Sequence, residues 1–294
     1  MQSFPAPAKI NLHLHVGGML PDGRHALDTS FAFVDIADHL HMAAAPSIEV
    51  SCSRPHLSGP ANLVHRVLVA LAADYGIAAG MRVHIDKQLP EQGGLGGGSS
   101  DAATALWVAN HLWGLHLPTD ELIRLAAPLG ADIPCFLFGE ASLAHGAGEE
   151  LAPYPAPLPD TTVVLAHPGK GLSTDEVFRR FDALHNKPVT DTIAARSERA
   201  TAVSGNAIGE NDLEPVAIGM SPALSRLLAA MRQAASPAWM SGSGSTCVAL
   251  VDDVETGRGL ADSLRRRGLA TWTHVGRIGR FHPLRDEVWG VAKR

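Results

Sequence analysis

Residues 94–103 read GLGGGSSDAA, the strongest concentration of potential chemistry in the chain. A glycine-rich loop joined to the start of a helix is a ready anion cradle. Its amides point at the ligand, the helix dipole favours negative charge, and the missing Cβ atoms let a phosphate approach the main chain. Gly96, Gly97, Gly98, Ser99 and Ser100 supply those amides. The composition also suits a flexible linker, but the flanks argue against that reading. A strand-like segment at 81–87 leads in through Pro90, and the almost wholly apolar DAATALWVANHLWGL leads out as a helix that must be buried. Neither common nucleotide loop is present. Asp101 follows Ser100 with no lysine ahead of the hydroxyl, and Ser99 stands where GxGxxG needs its last glycine.

Weaker signals lie elsewhere. SGSGST at 241–246 precedes a strand, CVALVD, and reads equally as a tight turn or a ligand loop. Asp132 is the one acid in GADIPCFLFG, and Pro134 biases Ile133 towards extended backbone. Residue types alone favour an aspartate that closes a turn. Lys9 in PAKIN opens a strand and by itself is a solvated edge residue. The 15 histidines are scattered without an HExxH pattern, which predicts surface or packing roles. Cys52, Cys135 and Cys247 form no CxxC pair, so neither a disulfide framework nor a zinc site is indicated, and a cytoplasmic location is expected.

The elements that must position these groups alternate along the chain. Ile10, Leu12, Leu14 and Val16 face one way and Asn11, His13 and His15 the other, which predicts a half-buried strand. SFAFVDI and SIEVSCS are further strands, 61–74 a helix, and Thr119 opens another with Asp120 and Glu121 in its first turn. APYPAPLPD at 152–160 reads as a linker. Beyond it come a strand, TVVLAHP, and a helix to about Leu184 capped by Ser173 and Glu176. A helix opened by Ser221-Pro222, the CVALVD strand, a basic-ended helix to Arg267 and a last strand near Thr271 follow. This mixture predicts an α+β or α/β fold in two domains, 1–155 and 156–294.

The 294 residues are 46% hydrophobic and 18% charged, so a sizeable core is expected and disorder is not. Apolar stretches are broken well before the ~20 residues that cross a bilayer. No export signal opens the sequence. A net charge of −6 speaks against a nucleic-acid surface but leaves anionic small molecules open.

Six ordered blocks carry a resemblance. They are PAKINLHLHVGG (7–18), PDGRHALDTSF (21–31), LPEQGGLGGGSSDAA (89–103), LGADIPCFLFGEASLAHGAGEEL (129–151), NDLEPVA (211–217) and SGSGST. Together they resemble the GHMP kinase superfamily, and PAKINLHL, PDGRH and GADIP point to its branch acting on a CDP-linked methylerythritol. The resemblance implies an S5-like N-terminal ATP domain and a ferredoxin-like C-terminal domain. It implies ATP-dependent phosphorylation of the substrate's tertiary 2-hydroxyl, on the non-mevalonate route to isoprenoid precursors. Asp132 would be the base and Lys9 its partner. Asn11 would touch the substrate, His25 would read the cytosine edge, Phe178 would stack on the base, and Thr174 would lie near the diphosphate. Pro90, Gly94, Leu95, Gly96, Gly97, Gly98, Ser99 and Ser100 would hold ATP, with Asn62 and Lys87 lining the adenosine pocket. Magnesium would arrive with ATP and touch Ser99 or Ser100, without a dedicated protein site. Arg24 departs from the family's usual tyrosine, and either stacks its guanidinium on the base or swings out. The alternatives are another GHMP kinase, for homoserine, a sugar or a mevalonate-type substrate, or a non-catalytic nucleotide-binding protein on the same scaffold. A dehydrogenase lacks its GxGxxG.

Overall fold

The computed structural model describes residues 1–184 and 208–285; residues 185–207 and 286–294 of the expected second domain lie outside them. The N-terminal half is built on a long antiparallel hairpin, β1 (Gln2–Met19) and β2 (His25–Ala45). The period-two pattern of β1 predicts one buried face, yet both are buried. Ile10 and Leu12 are fully enclosed, and Asn11 and His13 are only 3% and 4% exposed. The cause is tertiary. The 208–213 segment runs along β1, with the Gly209 N–H donating to the Leu12 carbonyl and the Leu14 N–H to Glu210. The Trp239 indole N–H donates to the Asn11 carbonyl. An edge that would otherwise attract another strand is thereby covered.

β3 (Glu49–Cys52) pairs in parallel with β4 (Gly80–Asp86), which joins β2. β5 (Ser142–His145) pairs with β2 and with β6 (Glu150–Pro153). This sheet packs against α1 (Leu63–Asp74), α2 (Gly97–Leu112), α3 (Thr119–Ala126) and α4 (Ile133–Phe138), around Trp107, Phe136, Leu68 and Ile85. Every α2 residue from Ser100 to Asn110 is buried, as its all-round apolar composition demands. The expected extended bias at Ile133 fails. Ile133 is the first residue of α4, because a proline in a helix's first turn lacks only an N–H that would have no partner there.

After an irregular stretch at 154–161 come β7 (Thr162–His167), α5 (Thr174–Leu184), α6 (Glu214–Met220), α7 (Pro222–Ala234), β8 (Ala238–Met240), β9 (Cys247–Val251), α8 (Val254–Arg266) and β10 (Trp272–Gly279). Ser221 and Asp253 cap α7 and α8 by accepting from main-chain amides. At α5 the expected capping box gives way to an ion-paired cluster. The Glu176 carboxylate is held by Arg179 and Arg180. β10 extends further than expected, pairing with β7 and then, through Ile278 and Gly279, with β2. The strand order is therefore β3-β4-β2-β10-β7-β9-β8. Ile10, Leu12, Val34, Leu165, Trp239 and Val248 fill the seam between the halves. Of the two mixed classes that the chain allowed, the structure is α+β, as the resemblance implied. Among the described residues no helix is long and apolar enough to cross a membrane.

The buried polar face of β1 carries an electrostatic network. Asp28, 1% exposed, lies 3.4 Å from the His13 Nε2 and 3.7 Å from the His145 Nδ1. His15 lies 3.3 Å from Glu210 and 3.6 Å from Asp212. Burial pushes the Asp28 carboxyl up, but His13, His145 and His15 outweigh it and hold it below its usual value of 3.8. Asp212 raises His15 above its usual 6.5 against the cost of burial. A lowered acid stabilises the fold above its unfolded value and loses that as pH falls through its folded value. A raised histidine stabilises fully below 6.5 and loses that as pH rises through its folded value. The melting temperature should therefore fall as pH rises above 6.5, and less steeply in His15→Gln. Parallel curves for parent and variant would mean that His15 carries no pH-linked stability.

Candidate active site

One cleft of about 700 Å³ opens between the halves. The glycine-rich loop forms one wall. Gly96, with φ +69, starts α2 from the left-handed region. Gly94 also has φ +74, and a Cβ there would stand 2.1 Å from the Ser241 carbonyl oxygen, so only glycine fits. The loop carbonyls are pinned in succession. Gln92 accepts from the Leu172 N–H, Gly93 from the Thr246 N–H, Gly94 from the Ser241 hydroxyl, and Leu95 from the Lys9 N–H. A trans peptide holds its N–H opposite its C=O. The amides of Gly93 to Gly96 therefore point away from these partners, and Gly93 through Ser99 all line the cleft. Ser100 leaves the expected donor set. Its amide donates to the Gly96 carbonyl, and its side chain is fully buried.

Behind the loop lies an ion cluster that the chain does not advertise. Lys87 donates to Asp38 and, at 2.8 Å, to Asp101. The other Asp38 oxygen accepts the Gln88 and Leu89 amides, fixing the entry to the loop. Burial pulls Lys87 down, but Asp101 and Asp38 outweigh it and raise it. Burial drives the Asp101 carboxyl up, Lys87 draws it part of the way back, and Asp38 pushes it up again. One lysine cannot neutralise two enclosed carboxylates, so a net upward shift of one acid is the physical outcome. Lys87 thus reaches the cleft wall with its ammonium already engaged. Asn62, also on the wall, caps α1 through Val64 and donates to the Leu57 carbonyl. Both residues shape the pocket rather than offering it free polar groups.

The second wall brings Lys9 and Asp132 together. The Lys9 Nζ lies 3.5 Å from Asp132 Oδ2, donates to Asn11 Oδ1 at 2.7 Å and sits 5.1 Å from the Phe31 ring centroid. Lys9 is 3% exposed, the opposite of a solvated edge residue. Asp132 occupies the cap position of α4 without a side-chain capping bond, which leaves its carboxylate for Lys9 and the cleft. The Asn11 Nδ2 donates to Thr29, whose hydroxyl donates to the His13 carbonyl.

Thr174, Phe178 and Ser243 form the third wall, with the Thr174 and Ser243 hydroxyls 2.8 Å apart. His25 stacks on Phe178, with ring centroids 5.3 Å apart. Its Nδ1 lies 3.1 Å from the Gly17 carbonyl and its Nε2 2.9 Å from Asp182. Arg24 has swung out, bonded to Asp22 and 3.5 Å from Glu149, and does not stack on Phe178. Thr29 and Ser243 line the cleft and Asp38 and Ser241 brace its loop, positions that sequence reasoning did not single out. SGSGST was the only local signal for the two serines.

A substitution separates the loop's two sides. A Cβ on Gly97 would press on Asp38, Leu89 and Lys87, whereas one on Gly98 meets nothing within 4 Å. Gly98→Val should leave the melting temperature of the free protein in place and weaken ATP binding by about tenfold or more, about 1.4 kcal/mol. An unchanged ATP-induced thermal shift would remove the loop as the phosphate site.

Comparisons with known proteins agree with this architecture. Residues 62–140 match the family described as GHMP kinases N terminal domain, and residues 196–269 match GHMP kinases C terminal. A 4-diphosphocytidyl-2-C-methyl-D-erythritol kinase of Cupriavidus metallidurans is 38% identical over 266 residues, covering 90% of this chain and 89% of its own. The enzyme of that name in Cupriavidus taiwanensis is 40% identical over the same shares. A crystal structure of 4-(cytidine 5'-diphospho)-2C-methyl-D-erythritol kinase superposes with a TM-score of 0.75 and 33% identity, covering 95% of this chain and 99% of that one. Identity of this order across nine-tenths of each chain, on a shared two-part fold, means that the chain belongs to the 4-diphosphocytidyl-2-C-methyl-D-erythritol kinase family of the GHMP kinases.

Proposed function

We propose that this protein transfers the γ-phosphoryl group of ATP to the tertiary 2-hydroxyl of 4-diphosphocytidyl-2-C-methyl-D-erythritol, on the non-mevalonate route to isoprenoid precursors. The observation that carries this reading is the meeting of Lys9 and Asp132, 3.5 Å apart, in the cleft that the glycine-rich loop walls. Phosphoryl transfer asks chiefly for positioning and for stabilisation of charge. A tertiary alcohol is a weak nucleophile, and Asp132 accepts its proton as the new O–P bond forms and ADP leaves. Lys9 stabilises the developing alkoxide. Asn11 fixes the Lys9 ammonium, and loop amides hold the phosphates.

Among the described residues no three acidic, histidine or cysteine groups gather as a metal cage. Magnesium would enter on the triphosphate, and Ser99 on the cleft wall, rather than enclosed Ser100, suits contact with it. Bound there, the ion would offset the charge of the phosphates. Phe178 and His25 hold the cytosine and Thr174 attends the diphosphate. The domain boundary falls in the proline-rich stretch near residue 155. Three buried free cysteines fit the reducing cytoplasm, and no nucleic acid or membrane is a partner.

The test is turnover with ATP and CDP-methylerythritol beside homoserine and mevalonate at equal concentration. Preference for CDP-methylerythritol is expected. Faster phosphorylation of another alcohol would move the protein to a different GHMP activity, and turnover of none would favour a binding protein.

A further inference from the structure

The SGSGST turn, ambiguous as sequence, stands where the two substrates' binding segments meet. Ser241 is fully buried. Its hydroxyl donates to the Gly94 carbonyl at 3.0 Å and accepts the Asn11 amide at 3.2 Å. One hydroxyl thus ties the glycine-rich loop to the strand that carries Lys9 and Asn11. Of the four donors that pin the carbonyls of Gln92 to Leu95, three are main-chain amides and the fourth is this side chain. Close packing leaves little slack around it. A Cβ on Gly94 would collide with the Ser241 carbonyl oxygen, and one on Gly242 would stand 3.2 Å from the Gly94 oxygen and 3.3 Å from Asn11 Oδ1.

The turn is itself held from behind. The Asn211 Nδ2 donates to the Met240 carbonyl at 2.7 Å and the Gly242 carbonyl at 2.8 Å, bracketing Ser241. The Asn211 Oδ1 accepts the Leu213 amide ahead of α6. Asn211 belongs to NDLEPVA, a block whose role the catalytic reading leaves open.

We propose that Ser241 is a positioning residue. Its hydroxyl fixes the Gly94 peptide, so that the loop amides face the nucleotide phosphates, and keeps that loop in register with the Lys9 strand. Asn211 holds Ser241 in place. The proposal rests on the kinase reading above, in that the loop is taken as the phosphate site. Loss of the hydroxyl frees the Gly94 peptide to turn, and preorganisation of the cradle falls, while Thr174 and Phe178, which make no bond to Ser241, keep their places.

The experiment measures ADP binding by calorimetry, both Michaelis constants and melting temperature for the parent, Ser241→Ala, Ser241→Thr and Asn211→Ala. Ser241→Ala should weaken ADP binding and kcat/KM for ATP by about 5- to 30-fold, the equivalent of ~1–2 kcal/mol at about 1.4 kcal/mol per tenfold. The Michaelis constant for the CDP substrate should stay within about twofold. Ser241→Thr, which keeps the hydroxyl, should recover most of the loss. Asn211→Ala, outside the cleft wall, should show the same ATP-selective loss at smaller size, and stands in if either serine variant fails to fold. ADP binding equal to the parent's in Ser241→Ala overturns the proposal. So does a loss shared equally by both substrates and matched by a lower melting temperature, which is a purely structural role. A parent that binds ADP but phosphorylates no CDP substrate would instead overturn the kinase reading, leaving the ADP comparison to judge Ser241.

Discussion

Asp132→Asn should keep the fold and the affinity for ATP and lose roughly 10²–10⁴-fold in turnover, the usual contribution of a positioned general base. The change is close to isosteric. Asp132 makes no capping bond to α4, and its side chain is 38% exposed, so little packing depends on its charge. The buried Lys9 ammonium keeps its bond to Asn11 Oδ1 in the variant, so that charge is not left without an acceptor. What disappears is the group that can take the hydroxyl proton beside the buried Lys9 ammonium. Single-turnover rates with saturating substrates, measured beside ATP binding, separate the chemical step from affinity. Turnover within about fivefold of the parent would leave Asp132 as a residue that ends a turn and starts a short helix.

Phe178→Ala should raise the Michaelis constant for the CDP substrate by about 5–150-fold while that for ATP barely moves. Base–aromatic stacking is worth roughly 1–3 kcal/mol by alanine substitution, which converts at about 1.4 kcal/mol per tenfold. Arg24 is held by Asp22, so no second stacking partner comes from that position. His25 covers Phe178 instead, and its hydrogen bonds suggest how a cytosine is told from a uracil. Nδ1 faces the Gly17 carbonyl and Nε2 the Asp182 carboxylate, and both partners accept, so Nε2 offers an N–H on this edge. Cytosine N3 accepts such an N–H, whereas uracil carries a proton on N3 and cannot. Asp182 occupies that nitrogen in the free protein and must give way to the base. His25→Ala should accordingly narrow the preference for cytidine over uridine, a change that loss of a stacking face cannot produce. An unchanged constant for Phe178→Ala, or a loss confined to ATP, would put the cytosine elsewhere.

The features legible along the chain were those governed by neighbours in sequence. The glycine-rich loop and the helix after it announce an anion cradle, because dipole alignment and the absence of Cβ atoms are properties of consecutive residues. α2 was expected to be buried because it is apolar all round, and the start of α7 was marked by Ser221-Pro222. Local signals misled where a distant segment intervened. Lys9 read as a solvated edge residue and Asp132 as a turn former, since neither sees the other until β1 and α4 meet in the cleft. His13 and Asn11 read as a solvent face because residues 208–213 and Trp239, which enclose them, lie far along the chain. Asp38 gave no sign in FVDIADHL; it becomes a site residue only when Lys87 and the loop entry reach it. The chain by itself thus determined where a glycine-rich turn meets the start of a buried helix, through backbone geometry set within a few residues. The tertiary structure decided which carboxylate faces which ammonium and what holds the loop in shape, because buried charges and hydrogen bonds take whatever partners the topology brings within a few ångströms.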